Sequence, residues 1–516
     1  MATATRAVHE TKRRYEAAPG IPLPDLRSVP QVASQSADRE VRLNTTYHDT
    51  ATFDLARAGI TLRHRTCGQE GGWRLKVPGG GARARGGARA RVELRLPGGP
   101  ELPAEFTELL TARLRGQALR PVASVATRRR LWTLADRTGR PLAEVALDSV
   151  TAEAFGPQSA LTRWSEVEVE LAGEVGETEG ARLLEAAARR MHESGLAPAE
   201  HRMKVRVALT GAVDWPTSIT RPGGSLTAGE VVLAYLRDRV QEILRQDLLA
   251  RRSEPDATRF MRAAVRRTRA ALQEFRPLFR GARIESLLGE LRWLSRELAP
   301  VRNEEVLSAL LAAQVAQISA GRMPGQARVR IDEYFAPKLA AAQRRAQTAL
   351  DSARYLELLD ELEVFVAEPP LAADAGKRAA DVLPRLVLQS QDKVKRRMHT
   401  ALRAPADERD RALRRARKAV RRARYAAEAA SPALGGRTRA SARALGKLQS
   451  ALGDNHHAAT AAKVLRALEI AASAERETSH LYRVLQNRQH RRADRFRRSA
   501  ARRWRRANRL RIRLAR

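Results

Sequence analysis

Five arginines, Arg259, Arg262, Arg266, Arg267 and Arg269, return as Arg414, Arg417, Arg421, Arg422 and Arg424, each displaced by the same 155 residues. Spacings of three and four belong to one side of a helix, and their recurrence at a fixed interval means two related helical halves. At about 100° per residue, Arg259, Arg262, Arg266 and Arg269 fall within a sector of about 80°. Met261, Val265, Thr268, Leu272 and Phe275 take the neighbouring sector, so a core-facing stripe runs beside the basic row. From about residue 226 onward the texture agrees: Ala, Leu, Arg and Glu dominate, glycine is sparse, and apolar residues recur at three and four.

Like charges three and four apart cost a helix about 0.2–0.5 kcal/mol per pair, and a merely solvated face would intersperse glutamates to avoid that cost. Two such rows therefore predict a bound counter-charge. Of 95 basic and 58 acidic side chains, 62 and 32 lie in residues 226–516, a net +30, which leaves 33 and 26, a net +7, for residues 1–225. The excess is mostly arginine, whose planar fork suits phosphate oxygens and which stays charged near neutral pH. An extended polyanion is the expected partner. The last 26 residues hold 13 arginines and one acid, Asp494, interleaved with Phe496, Trp504 and Leu510. A helix closing over the same anion, a disordered basic tail and a nucleic-acid patch are all open readings of that segment.

Residues 1–210 read as mainly β. Alternating runs at 73–77, 90–96, 165–171 and 203–209 are separated by Gly/Pro punctuation, with a basic loop over 78–89 and a helix over 179–194 that Gly195 stops. Two of these runs, and a further one at 62–65, carry single-sign faces. Period 2 sets Arg63 and Arg65 together, Arg74 and Lys76 opposite Trp73, Leu75 and Val77, and Glu166, Glu168 and Glu170 together. Such faces are costly unless opposite charge or metal lies nearby, which a closed barrel would supply; the alternative is an antiparallel sheet with its polar face in water. The fold class expected is two-domain α+β: an antiparallel β-barrel in residues 1–212, a linker over 213–228, and an all-α domain of two repeated bundles over 229–516. One cysteine, Cys67, fits a reducing compartment, and no uncharged 18-residue stretch reaches membrane-spanning length. The first 30 residues lack the apolar core of a signal peptide, so the expectation is a cytoplasmic protein with no membrane partner.

The helical part resembles the CHAD family, the conserved histidine α-helical domain. Met261-Arg262, Arg266-Arg267, Arg269, Leu291 to Leu294, Arg302 to Leu307, then Arg417, Arg421, Arg422, Arg424-Tyr425, Glu428, Leu448-Gln449 and Leu452-Gly453 carry the likeness. It implies two bundles around a basic channel that binds inorganic polyphosphate, with Arg259, Arg262, Arg266, Arg269, Arg302, Arg414, Arg417, Arg421 and Arg424 as contacts and polyphosphate granules as location. Arginines stand at both name-giving histidines, Arg259 and Arg414. The acidic pair after Arg302 is weakened to Asn303 and Glu305, and a late aspartate becomes His457.

Residues 6–210 resemble the CYTH family of triphosphate tunnel enzymes. Tyr47 to Thr50, Asp54-Leu55, Gly59 to Arg65, Trp73 to Pro78, Arg91 to Glu93 and Trp164 to Leu171 appear in order. The resemblance implies an eight-stranded tunnel in which Arg14, Arg63, Arg65, Lys76, Arg91 and Lys204 hold phosphate. Glu10, Glu166, Glu168 and Glu170 would hold Mg2+ or Mn2+, with Glu10 and Glu168 catalytic. A hard cation among carboxylates neutralises charge on phosphate oxygens and orients water. The family's opening ExExK motif is altered: Glu10-Thr11-Lys12-Arg13-Arg14 keeps the first glutamate, puts Lys12 at the second and Arg14 at the lysine. The other register puts Val8 first, Glu10 second and Lys12 at the lysine.

The function expected is therefore an inorganic polyphosphate-binding protein with a metal-dependent triphosphatase tunnel. Against it stand a catalytically impaired scaffold organising polyphosphate granules and a nucleic-acid-binding basic protein. Aromatic content of 4% and the lack of any helix-turn-helix, zinc or RNA-binding signature weigh against the last. His456-His457 lacks a carboxylate or cysteine at ligand spacing, and Cys67 lacks a catalytic partner motif.

Overall fold

The structure is a computed structural model. It describes residues 6–66, 71–78, 91–96, 99–156, 160–173, 175–199, 203–210, 213, 226–254, 256–318, 325–475 and 479–510, with the backbone alone at 6–10, 38, 91, 177, 318, 325 and 326. Cys67, the basic loop beyond Pro78, most of the linker and the last six residues lie outside that set. The chain divides into two units, residues 1–218 and 219–516.

Among the described residues the first unit holds ten strands: β1 Arg6–Glu10, β2 Lys12–Ala17, β3 Ser34–Asp49, β4 Thr61–Arg65, β5 Gly72–Pro78, β6 Arg91–Leu96, β7 Arg120–Ala135, β8 Pro141–Ala154, β9 Leu161–Leu171 and β10 Ala197–Pro198. Its helices are α1 Asp54–Arg57, α2 Ala104–Leu109, α3 Thr111–Leu114, α4 Glu177–Glu193 and α5 Lys204–Ala208. All strands join one antiparallel sheet, ordered β1-β6-β5-β4-β3-β7-β8-β9-β2-β10. This corrects the expected closed barrel of eight strands, because the hydrogen-bonded ladder stays open. The reason lies at Thr11, where one run of chain changes partner: β1 pairs with β6 and β2 with β9. The two-residue β10 adds the tenth strand, against Tyr15 and Glu16.

Directly paired residues share a face, so register alone sorts the charges. Arg63 faces Arg74, which faces Arg95; Lys76 faces Glu93; Arg129 faces Asp148, which faces Glu166. Arg14 faces Glu168, Lys12 faces Glu170, and Glu10 faces Arg91. All of these lie on one side. On the other side Trp73, Leu75 and Val77 are buried, and Tyr15, Val145, Val167 and Val169 join α4 through Leu183, Leu184 and Met191. The charged side is buried too: Arg74 is 6%, Lys76 8%, Glu168 3% and Asp148 0% exposed. A sheet with its polar face in open water is thereby excluded.

The run at 203–209 is a helix, α5, rather than the expected strand. Its apolar residues Val205, Ala208 and Leu209 are spaced three and four apart, and they pack with Met203 on Val122, Val125 and Val150. The expected helix over 179–194 is α4, which Gly195 ends at φ +81°.

The second unit is all helical: α6 Ala228–Arg251, α7 Ala257–Glu274, α8 Arg283–Glu297, α9 Ala299–Ile318, α10 Gly325–Leu350, α11 Ala353–Ala367, α12 Ala379–Arg403, α13 Ala406–Ala474 and α14 His480–Arg509. The repeat read in sequence has a structural counterpart where α6 and α12 begin. Ala228 N donates to Lys377 O and Ala379 N to Leu226 O, both at 2.9 Å, a reciprocal pairing of the two starts. The stripe Met261, Val265, Thr268, Leu272 and Phe275 is fully buried. Gly435, at φ +74°, breaks α13 after Pro432. The basic C-terminal stretch, as far as Arg509, is α14, packed on α13 through Tyr482, Leu485, Ala500 and Trp504, so a disordered tail is excluded for those residues. Among the described residues, no helix is long and apolar enough to cross a membrane.

Candidate functional site

The charged face of the sheet has two halves. On β4, β5 and β6, Glu93 gathers Arg63 at 2.9 Å, Arg95 at 2.8 Å, and Arg74 and Lys76 at 3.8 Å. Arg65 is also buried on that face. One carboxylate thus stands among five cations. Burial works against the charged form of Arg63, but Tyr47 and Glu93 outweigh it and hold the guanidinium firmly protonated. This half is built to attract an anion.

On β2, β7, β8 and β9 the signs balance. Arg14 Nε lies 2.5 Å from Glu168, and Lys12 Nζ lies 3.2 Å from Glu168 and 3.3 Å from Glu170. Arg129 bridges Asp148 at 2.7 Å and Glu168 at 3.3 Å. Lys204, the first residue of α5, reaches Asp148 at 2.5 Å and Glu166 at 3.4 Å. Burial alone would raise the Glu168 carboxyl, yet Arg14, Lys12, Arg129 and Lys204 hold it well below the usual carboxylate range. Asp148 is likewise lowered against its burial, by Lys204 and Arg129.

Asp148, Glu166 and Glu168 offer carboxylate oxygens within 4.8 Å of one another. The donor set, three carboxyl groups and no soft ligand, suits a hard divalent cation. Of the glutamates expected to bind metal, Glu166 and Glu168 belong to this group. Glu170 lies outside it, beside Lys12, and the Glu10 side chain is outside the described residues. Asp148, Arg129, Arg74, Glu93 and Arg95 were missed as site residues. Asp148 could have been found from its alternation with Ala146, Val150 and Ala152, which sets an acid among apolar residues in the middle of one strand face.

In the helical unit, the rows of the two halves meet. Burial lowers the Arg262 guanidinium to about 10, with Arg266, Arg417 and Arg302 adding repulsion. Arg421 falls to about 9 through burial, then Arg266, Arg417 and Arg269, in spite of Tyr425. Arg266, Arg269 and Arg417 are lowered too, burial first and neighbouring guanidinium groups after it. The buried Nε atoms of Arg262 and Arg266 find no acceptor among the described residues. The other expected contacts have pairings or pockets of their own. Arg259 pairs with Asp256 at 3.2 Å and stacks on Phe260; Arg302 pairs with Glu305 at 3.2 Å; Arg424 pairs with Glu428 at 2.7 Å. Arg414 is exposed and shares a small surface pocket with Asp410 and His456. Arg292 and Arg422 flank Arg269, a placement the rows did not reveal.

The CYTH domain model matches residues 10–200 and the CHAD domain model residues 234–466. An uncharacterized protein of Mycobacterium tuberculosis strain H37Rv is 30% identical over 489 residues, 92% of each chain. The chain belongs to the CYTH and CHAD domain proteins. Its counterpart in strain CDC 1551 matches to the same extent. Among solved structures, PptA from Streptomyces chartreusis is 23% identical, with a TM-score of 0.45, and covers 54% of this chain and 99% of its own. The CHAD domain from the plant Ricinus communis is 22% identical, with a TM-score of 0.40 over 54% of this chain and 90% of its own. A putative adenylyl cyclase from Hippeastrum, described as having a dominant triphosphatase activity, is 16% identical with a TM-score of 0.25, over 39% of this chain and 96% of its own. The α14 helix lies beyond the matched CHAD segment.

Proposed function

We propose that this protein binds inorganic polyphosphate through its CHAD domain and a triphosphate or chain end through its CYTH domain. The observation that carries the reading is the group Arg262, Arg266, Arg269, Arg417 and Arg421, held together against mutual repulsion and burial. Such crowding costs stability in isolation, and a phosphate chain offsets it by accepting hydrogen bonds from several guanidinium groups at once. Arginines drawn from both halves of the repeat suit a ligand longer than a single phosphate. A cytoplasmic location at polyphosphate granules follows from that ligand.

In the CYTH domain Arg63, Arg65, Arg74, Lys76 and Arg95 draw the anion to the β4–β6 half, with Arg91 in register beside them. Asp148, Glu166 and Glu168 would hold Mg2+ or Mn2+. A cation bound there neutralises charge on phosphate oxygens and supports attack by water. Arg14, Arg129 and Lys204 fix those carboxylates in place, and keep Asp148 and Glu168 ionised. This arrangement favours a metal-dependent triphosphatase as the second activity.

Two measurements test the reading. Phosphate release from tripolyphosphate with Mg2+ or Mn2+ is expected for the parent protein and not for Glu168→Gln; no release by the parent rejects the enzymatic half. In competition at equal phosphate concentration and moderate salt, duplex DNA or RNA is expected to leave long-chain polyphosphate bound. Displacement would make the protein a nucleic-acid binder instead.

A further inference from the structure

Each of the six oxygens of the acidic group already faces a cation or an N–H donor. Both oxygens of Asp148 accept from Arg129, and Oδ2 also from Lys204. Glu166 Oε2 accepts from Trp164 Nε1 at 3.0 Å, and its Oε1 lies 3.4 Å from Lys204 Nζ. Glu168 Oε1 lies against Arg14, and its Oε2 accepts from Lys12 and Arg129. With Glu170 the group counts four carboxylates, and Lys12, Arg14, Arg129 and Lys204 supply four positive charges. These eight side chains sum to zero charge, with Glu144, opposite Glu170 in register, exposed at their edge.

Lys12 makes that balance. Its register position opposite Glu170 places its ammonium between Glu168 and Glu170. A carboxylate at position 12 would bring the count to five negative against three positive, and only a divalent cation would restore neutrality. We propose that in the substrate-free protein Lys12 is a resident counter-cation that stands in for a divalent metal among these carboxylates, so that the CYTH domain takes up tripolyphosphate without metal and the metal that turnover requires enters afterwards. Resting on the phosphate-binding role given above, the proposal sets the order of events there. Tripolyphosphate enters the cationic β4–β6 half while Lys12 keeps the acidic half neutral and so spares the anion its repulsion. A metal gains the acidic group only by displacing ammonium or guanidinium groups from five of the six oxygens, the sixth, Glu166 Oε2, being held by the Trp164 indole N–H.

The test uses the full-length protein and reads metal binding rather than activity. Free Mn2+ is followed by electron paramagnetic resonance during titration, with the parent, Lys12→Glu and Lys12→Met. With no tripolyphosphate present, the parent is expected to show no saturable site up to about 1 mM, and Lys12→Glu to gain one that saturates at a concentration at least about tenfold lower. Lys12→Met, which keeps the apolar stem, falls between them. A single stoichiometric Mn2+ site in the parent that saturates below about 1 mM overturns the counter-cation role, and this result needs no variant to fold.

Hydrogen exchange on adding tripolyphosphate localises uptake. The β4, β5 and β6 amides are expected to slow equally in EDTA and in Mg2+, whereas protection only in Mg2+ overturns metal-free uptake. No protection in either condition overturns both that uptake and the phosphate role of the CYTH domain, while the Mn2+ titration still decides what Lys12 does.

Discussion

On the acidic half of the sheet, Lys12, Arg14, Arg129 and Lys204 each have a carboxylate within 3.2 Å. On α7 and α13, Arg262, Arg266, Arg269, Arg417 and Arg421 have one another instead. Both groups are largely buried, so the difference is one of compensation. Where opposite charges interlock, the protein satisfies its own electrostatics and the reward is a fixed geometry. Where like charges converge, the protein stores repulsion that an outside anion relieves. The first kind of site is hard to enter and the second is hard to leave empty.

The sharpest way to break the contrast is to give the CHAD cluster its own acids. Arg266→Glu combined with Arg421→Glu turns two of the five charges around and lets them pair internally, as the sheet does. Binding of long-chain polyphosphate by the full protein is expected to weaken by at least about 10³-fold, because two contacts are lost and two repulsions gained. The fold should survive, since relieved repulsion offsets the lost interactions. Calorimetric titration measures the affinity and circular dichroism checks the fold; binding within tenfold of the parent would remove the cluster from the site.

The converse change opens the compensated half. Glu168 touches Arg14, Lys12 and Arg129 and is 4% exposed at its side chain. Glu168→Gln leaves those cations short of one buried negative charge, and the loss is expected to be about 3 kcal/mol of CYTH-domain stability. Calorimetric unfolding should show the transition of the sheet domain shift down while that of the helical domain stays in place. Because paired Glu168 has its carboxyl held far below the unfolded value, its contribution is present above the ordinary carboxylate pKa. It is lost as pH falls through the native one.

The same contrast explains what sequence could and could not reveal. Alternation exposed Arg63, Arg65, Arg74, Lys76 and the three glutamates of β9, because a strand sorts its own residues by parity. It could not show that Glu93 and Asp148 are the hubs, since their partners come from other strands. Nor could it show that the sheet stays open, which depends on a change of partner at Thr11. In the CHAD domain the arginine rows followed from helical spacing. Which arginines are already neutralised did not: Asp256 quiets Arg259 across one turn, but Glu428 reaches Arg267 from 161 residues away. The run at 203–209 was misread because its residues fit both periods, and packing on Val122 and Val150 chose the helix.

The smallest predicted effect carries the comparison to the edge of the arginine cluster. His457 is pushed down to about 4 from 6.5, by burial first and then by Arg417, His456, Arg302 and Arg262. Between those values the folded, anion-free protein keeps His457 neutral while an unfolded chain protonates it. Its contribution to stability is therefore present above pH 6.5 and is lost as pH falls toward 4. A phosphate chain among the same arginines cancels their repulsion and raises the His457 pKa, so binding takes up a proton inside that window. Affinity for polyphosphate should rise modestly as pH falls from 6.5 toward 4, and His457→Gln should flatten the rise. Titration calorimetry in two buffers of different ionisation enthalpy counts the proton. Equal heats in both buffers at pH 5.5 would mean that the chain does not reach the Arg262, Arg302 and Arg417 end of the cluster.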